Sequence, residues 1–464
     1  MRKEKAMKKL AWFLAAVMLL ALLSACGDAP AEDAPFDWPD PPQAEQKNDS
    51  LTVYCLDVGK GTRMMEKAVT LFRASHPGVR VELVQEDYNA GQGLDSYEQV
   101  AVEIMAGGGP DVILVNDSLM DVEKMVRQGV FADMEPFFEA DGFDWTPYNQ
   151  TIMDGGVWDG RRYMVPLSYD FPLYVTTRTA LEETGFDVDA CKDFRGFLEE
   201  SRRFMADSTQ TRRLFYERIL TPAVWDAGLQ FANYDTKTVD LSSPDLKDYY
   251  EWKKLLTAHV PDEYLSGNEL YAPAAVRDGK ALWVSDFYAS STFYFQYGAL
   301  KTIGEAVMMP VRDLNGGIQA QIKYPVAVRA NSENLQNAYD FLKIVLGKDV
   351  QGGFASFSGG EELPVLDQIN EEYYHNSSIT PDGWESMAAG TQGFTSTASE
   401  FYATDWPTEE EYEEFMGYVD EISGTCYSSH LGLNSAMSPF VSEGADYDET
   451  LENARRTLEI QISE

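Results

Sequence analysis

The sequence predicts an open α/β fold. Three observations carry that expectation. Strand-like and helix-like apolar patterns alternate from residue 51 onward. Gly and Pro punctuation falls between them. One strand is apolar throughout, as a strand buried on both faces of a parallel sheet must be.

Taken in order, residues 51–56 (LTVYCL) read as a strand. Met64, Met65, Ala68, Leu71 and Phe72 then recur at helical spacing, and His76, Pro77 and Gly78 end that helix. Val79, Val81 and Leu83 alternate with Arg80 and Glu82, the pattern of a half-buried strand. Leu94, Tyr97, Val100 and Ile104 mark a second helix, stopped by Gly107 to Pro110. Residues 111–115 (DVILV) form the apolar strand. Ser118 is placed to cap the next helix, with Leu119, Val122 and Val126 inward. Strand–helix–strand–helix–strand order implies parallel strands with right-handed crossovers. Near the other end, Tyr412, Phe415, Val419 and Ile422 mark an amphipathic helix. Asp446 and Glu449 make a capping box for a last helix carrying Leu451, Ala454, Leu458 and Ile462.

Ligands of open α/β sheets bind beyond the carboxyl ends of the strands. Here those ends carry Asp57, then Tyr88 and Asn89, then Asn116 and Asp117. Each also suits an ordinary turn or cap.

The first 25 residues read as a secretory signal: a basic start (Arg2, Lys3, Lys5, Lys8, Lys9) and an uncharged apolar run from Leu10 to Leu23. The run ends in Leu23, Ser24, Ala25 and Cys26, which resembles a bacterial lipoprotein signal. That resemblance implies cleavage before Cys26 and lipid attachment, palmitate included, on its sulfur. The protein would then be held on the outer side of the cell membrane: extracellular in a Gram-positive bacterium, periplasmic otherwise. Residues 26–49, acidic and rich in Pro and Ala, read as a tether.

The formal charge of −39 argues against nucleic acid and anionic lipid surfaces as partners. The four cysteines include no Cys-x-x-Cys, and the four histidines are isolated, so no metal-ligand spacing occurs. A bond between Cys191 and Cys426 is possible, though spacing alone does not specify it. No Gly-x-Ser-x-Gly and no His-Glu-x-x-His is present.

Several segments together resemble the family 1 extracellular solute-binding proteins, the group of maltose- and other sugar-binding proteins. They are residues 72–81 (FRASHPGVRV), 104–112 (IMAGGGPDV), 157–166 (VWDGRRYMVP), 278–285 (DGKALWVS), 324–332 (YPVAVRANS) and 337–342 (NAYDFL). The resemblance implies a two-lobed, type II periplasmic-binding-protein-like fold with hinge strands crossing between lobes and C-terminal helices. It places the N-terminal lobe at 50–168 plus 305–355 and the C-terminal lobe at 169–304 plus 356–464. It implies a monomer that binds a small solute, foremost a carbohydrate, performs no catalysis, and needs no cofactor or metal. The partner would be the permease of an ABC importer. A non-sugar cargo (polyamine, peptide, phosphate ester), presentation of solute to a sensor kinase, or a secreted glycosidase are the alternatives.

A sugar offers hydroxyls at its edges and a C–H face, which call for carboxylates and amides beside flat aromatic rings. The candidates in that pattern are Tyr169 and Asp170, Trp225 and Asp226, Asp286 and Tyr288, and Trp384. Asp286 stands where the family often has Gly. Trp283 is expected to point into the core.

Overall fold

The computed structural model describes residues 38, 44–57, 60–87, 93–116, 120–216, 221–259, 272–286, 288–355, 362–376, 405–427 and 432–463. Residues 40–464 form one of the two units into which the chain divides, and the following concerns that unit.

The strands that position the site are β1 (Ser50–Asp57), β2 (Arg80–Asp87), β3 (Val112–Leu114), β4 (Met164–Val165), β5 (Ser168–Asp170), β6 (Leu173–Thr177), β7 (Arg213–Phe215), β8 (Ala281–Trp283), β9 (Ala306–Pro310), β10 (Ile318–Lys323), β11 (Val326–Val328), β12 (Leu363–Pro364) and β13 (Ile422–Cys426). The helices used below are α1 (Lys60–Ser75), α2 (Gly93–Met105), α3 (Val122–Arg127), α4 (Gln150–Asp154), α5 (Phe194–Ala206), α6 (Pro244–His259), α7 (Leu335–Leu346), α8 (Glu409–Asp420), α9 (Leu433–Ser442) and α10 (Tyr447–Ser463).

The first sheet has the order β2-β1-β3-β11-β4. β1 runs parallel to both β2 and β3, while β11 is antiparallel to β3 and β4. The parallel core follows from the alternation in sequence, and α1 covers it with Met64, Met65, Ala68 and Phe72, all buried. Gly107 and Gly109 end the α2 connection with φ of 82° and 83°, a backbone that disfavours side chains. Ser118 lies outside the described residues; Asp121 caps α3, accepting from the Lys124 N–H at 3.1 Å.

A second set of strands pairs β6 with β9 and β7 with β8, joined by a bridge between Val175 and Val284. Helices α5 and α6 pack there through Phe197 and Trp252, with Trp283 of β8 fully buried as expected. β9 belongs to this set. β9, read with the N-terminal lobe from sequence, hydrogen-bonds β6 along its whole length.

Between the two sets lies a third sheet, β12-β5-β10-β13. The chain passes from the first sheet to this one at Pro166–Leu167, and returns at Tyr324–Pro325. Tyr324 adopts φ of 51°, unusual for a bulky residue, and its ring presses on the α1 N-terminus. A Cβ at Gly61 would come within 2.7 Å of it.

In the C-terminal part, α8 buries Tyr412, Phe415 and Val419 and ends at Asp420. Ile422, read as a further turn of this helix, instead opens β13, whose pairing with β10 takes over its backbone groups. α9 and α10 pack on each other and α9 on α6. Asp446 caps α10 through the Glu449 N–H, and Ala454, Leu458 and Ile462 are buried.

Residues 44–49, read as the end of the tether, lie along the start of α7. The Lys47 and Asn48 N–H groups donate to the Glu333 carbonyl at 2.8 and 3.2 Å. Gln46 and Asn48 side-chain oxygens accept from the Leu335 and Gln336 N–H groups at 3.0 and 3.1 Å. Among the described residues, no helix is long and apolar enough to cross a membrane, and no His, Cys, Asp and Glu cluster could hold a metal. Cys55, Cys191 and Cys426 are all unbridged.

Candidate functional site

A cavity of about 350 Å³ opens where four strips of chain meet. The start of α3 brings Asp121 and Glu123. The end of α4 and the turn after it bring Asp154, Gly155 and Trp158. Residues 229–234 bring Phe231 and Tyr234, and the end of β13 brings Thr425, Cys426 and Tyr427. A volume of this order holds a small molecule.

Direct bonds hold the strips together. Tyr234 donates its hydroxyl hydrogen to the Asp121 carboxylate, with 2.8 and 2.7 Å to its two oxygens. Arg127 of α3 bonds Glu123 at 3.3 Å and also pairs with Asp235. Tyr427 donates to the Gly155 carbonyl at 2.6 Å, and its ring stacks on Trp158 with centroids 6.2 Å apart. Gly155 fits because it has no side chain: a Cβ there would meet the Thr425 hydroxyl at 2.8 Å and Ile322 at 2.9 Å. Burial raises the Asp121 and Glu123 carboxyls above the usual range; the Tyr234 hydrogen bond opposes this for the first and the Arg127 charge for the second.

The third sheet supplies a polar face beside the cavity. In β10, Ile318, Ala320 and Ile322 are buried while Gln319, Gln321 and Lys323 are half-buried on the other face. Gln321 is in register with Asp170 of β5 on one side and Cys426 of β13 on the other. Those three residues thus stand in a row, and Cys426 reaches the cavity wall.

Asp170 and Asp226, both candidates from sequence, share the field of Lys323. Asp170 accepts from the Ala289 N–H at 2.6 Å, and Asp226 from the Ala223 N–H at 2.7 Å. Burial pushes each carboxyl up to about 7, with the Lys323 charge and these backbone donors opposing it. Glu362 adds to the rise at Asp170 and accepts from the Tyr324 hydroxyl at 3.1 Å.

The remaining candidates are placed as follows. Tyr169 alternates to the opposite face from Asp170 and is fully buried in the core. Trp225 is half-buried against the core. Tyr288 opens a helical turn, Ala289–Ser291, that continues as a π-helical stretch, Thr292–Tyr297. Such π segments often occur at functional sites. The Asp286 N–H donates to the Thr292 hydroxyl at 2.8 Å. Asn116 is half-buried just past β3, its carbonyl accepting from the Met120 N–H at 3.0 Å. Tyr88, Asn89, Asp117, Trp384 and Cys26, with the side chain of Asp57, lie outside the described residues.

The cavity residues Asp121, Glu123, Trp158, Tyr234 and Tyr427 were not among the sequence candidates. Trp158 lies in the family-like segment 157–166, which is the one signal that could have found it.

The fold has solved relatives. An ABC substrate-binding protein of Listeria monocytogenes, in complex with cycloalternan, superposes with a TM-score of 0.53 at 13% identity, covering 89% of this chain and 99% of that one. A cyclic α-maltosyl-1,6-maltose binding protein from Arthrobacter globiformis gives 0.51 at 16%, covering 89% and 98%. A sugar transporter from Rhizobium etli in an open conformation gives 0.53 at 18%, covering 88% and 98%. At such identities the likeness is one of fold, the two-lobed type II periplasmic-binding-protein architecture. A sequence comparison with the curated proteins found no match. The family model for bacterial extracellular solute-binding proteins matches residues 58–352, most of the chain. With that match over most of its length, the chain belongs to the bacterial extracellular solute-binding proteins.

Proposed function

We propose that the chain is the substrate-binding subunit of an ABC importer, and that it holds a carbohydrate in the cavity between Asp121, Trp158, Tyr234 and Tyr427. The observation that carries this reading is the chemistry of the wall: aromatic rings beside carboxylates, the pairing that a sugar's C–H face and hydroxyls need. The relative solved with cycloalternan and the cyclic α-maltosyl-1,6-maltose binding protein support the same cargo.

In this reading the N-terminal lobe comprises residues 50–168 with about 324–355, and the C-terminal lobe the rest to 464. Closing brings the α3 start against residues 229–235. A solute touching both sides favours the closed form by its differential contacts. The polar face of β10, with Asp170 at its edge, forms the floor. The protein releases its cargo unaltered. Cys26 carries the lipid that holds it on the outer side of the membrane, with residues 27–43 as the leash.

Titration with mono- and oligosaccharides, followed by Trp fluorescence and thermal shift, tests the proposal. A saccharide that binds should raise the melting temperature with concentration. Turnover of the bound sugar, or no response to any saccharide, would overturn it.

A further inference from the structure

The cavity has a charge that a neutral sugar does not use. Its acidic lining residues among those described are the carboxylates Asp121, Glu123 and Asp154, and no Lys, Arg or His is among the described residues that line it. Compensation is thin. One guanidinium, Arg127, serves both Glu123 and Asp235. Asp121 has hydrogen-bond donors, the Tyr234 hydroxyl and the Lys124 N–H, but no ion pair among the described residues. Asp154 is exposed at the rim and makes no hydrogen bond or ion pair among the described residues. The other lining groups add no positive charge: the stacked Trp158 and Tyr427 rings present π faces, which attract cations. A concave site of one sign concentrates ligands of the opposite sign, and does so most at low salt.

We infer that the saccharide this cavity selects bears a protonated amino group, and that Asp154 and Glu123 set the preference. The inference rests on the carbohydrate reading above. An ammonium substituent at this wall would have the Asp154 carboxylate and the aromatic pair, which line the same cavity, to meet. A carboxylate, sulfate or phosphate on the sugar meets only like charge there.

The probes are glucose, glucosamine and glucuronic acid, as single sugars and as short oligomers in both anomeric linkages. They are titrated into the full chain at about pH 6, where an aliphatic amine is protonated. The expected result is affinity for the amino form at least about tenfold above the matched neutral form, with no detectable uronate binding. The ratio should shrink as salt rises from roughly 20 to 500 mM. Asp154→Asn and Glu123→Gln should each narrow it to below about threefold, a tenfold ratio being about 1.4 kcal/mol. Neutral or uronate sugars binding as tightly as the amino form would overturn the inference while leaving the carbohydrate reading intact. So would a ratio indifferent to salt and to both substitutions. If no saccharide binds at all, the carbohydrate reading falls and takes this inference with it.

Discussion

Tyr234 holds Asp121 by both carboxylate oxygens, at 2.8 and 2.7 Å, and so ties residues 229–234 to the first turn of α3. Asp121 also caps that helix, so one carboxylate sets both the local backbone and the approach of the two strips. Tyr234→Phe removes the donor and keeps the ring. Leaving a half-buried carboxylate short of a partner costs up to about 1–3 kcal/mol. The expected outcome is a lower melting temperature and saccharide affinity reduced about tenfold. Wild-type behaviour in both would show that the contact contributes nothing to closure.

Gly155→Ala tests the wall from the other side. Its backbone is already helical, so the substitution strains no dihedral, but the new methyl meets Thr425 and Ile322 under 3 Å. Overpacking of this kind costs about 1–3 kcal/mol. We expect a lower denaturant midpoint, and weaker binding because Trp158 and Tyr427 are pushed apart. An unchanged midpoint would mean that the two strips separate freely.

Asp226 gives a pH test with a definite sign. Burial lifts its carboxyl from 3.8 to about 7, so the folded chain holds that proton more tightly than the unfolded one. Its contribution to stability is full below about pH 4 and is lost as pH rises to about 7. Asp226→Asn keeps an acceptor for the Ala223 N–H and cannot ionise. Its melting temperature should be close to the parent's below about pH 4 and above it at pH 8. A difference that stays constant over that range would show that Asp226 does not titrate there.

Cys426 reports on the cavity directly. It lines the wall and is partly exposed, whereas Cys55 and Cys191 are buried. Burial also pushes the Cys191 thiol up to about 12, leaving little thiolate to react. In a chain with Cys26 replaced by Ser, a thiol reagent should modify one cysteine quickly under native conditions. A bound saccharide should slow that reaction. Equal rates for all three thiols, or no protection by any binding sugar, would count against the placement of the cavity.

Much of the architecture was readable because it is written in short-range periodicity. The α1 face (Met64, Met65, Ala68, Phe72) and the apolar β3 are examples. The errors fall where periodicity is silent about competition. Ile422 sits at helical spacing after Val419, yet pairing with β10 draws it into a strand. Ser118 and Asp121 are both good caps, and Tyr234, 113 residues away, engages the second. The placement of β9 depended on its hydrogen bonds to β6, which no local pattern reveals. The site was legible in part for the same reason. Asp170 and Asp226 each follow an aromatic residue in sequence, at the end of β5 and in a short 3-10 turn, whereas Tyr234 and Tyr427 join the cavity only through contacts made after folding.

The seating of residues 46–48 on the start of α7 has a mechanical consequence. Two helix donors, on Leu335 and Gln336, receive their acceptors from a segment that enters the domain ahead of β1. Any pull arriving from upstream is therefore delivered to the head of that helix before it reaches the sheet. Shortening the chain to begin at Ser50 would uncap α7 and loosen the edge on which that helix is hung.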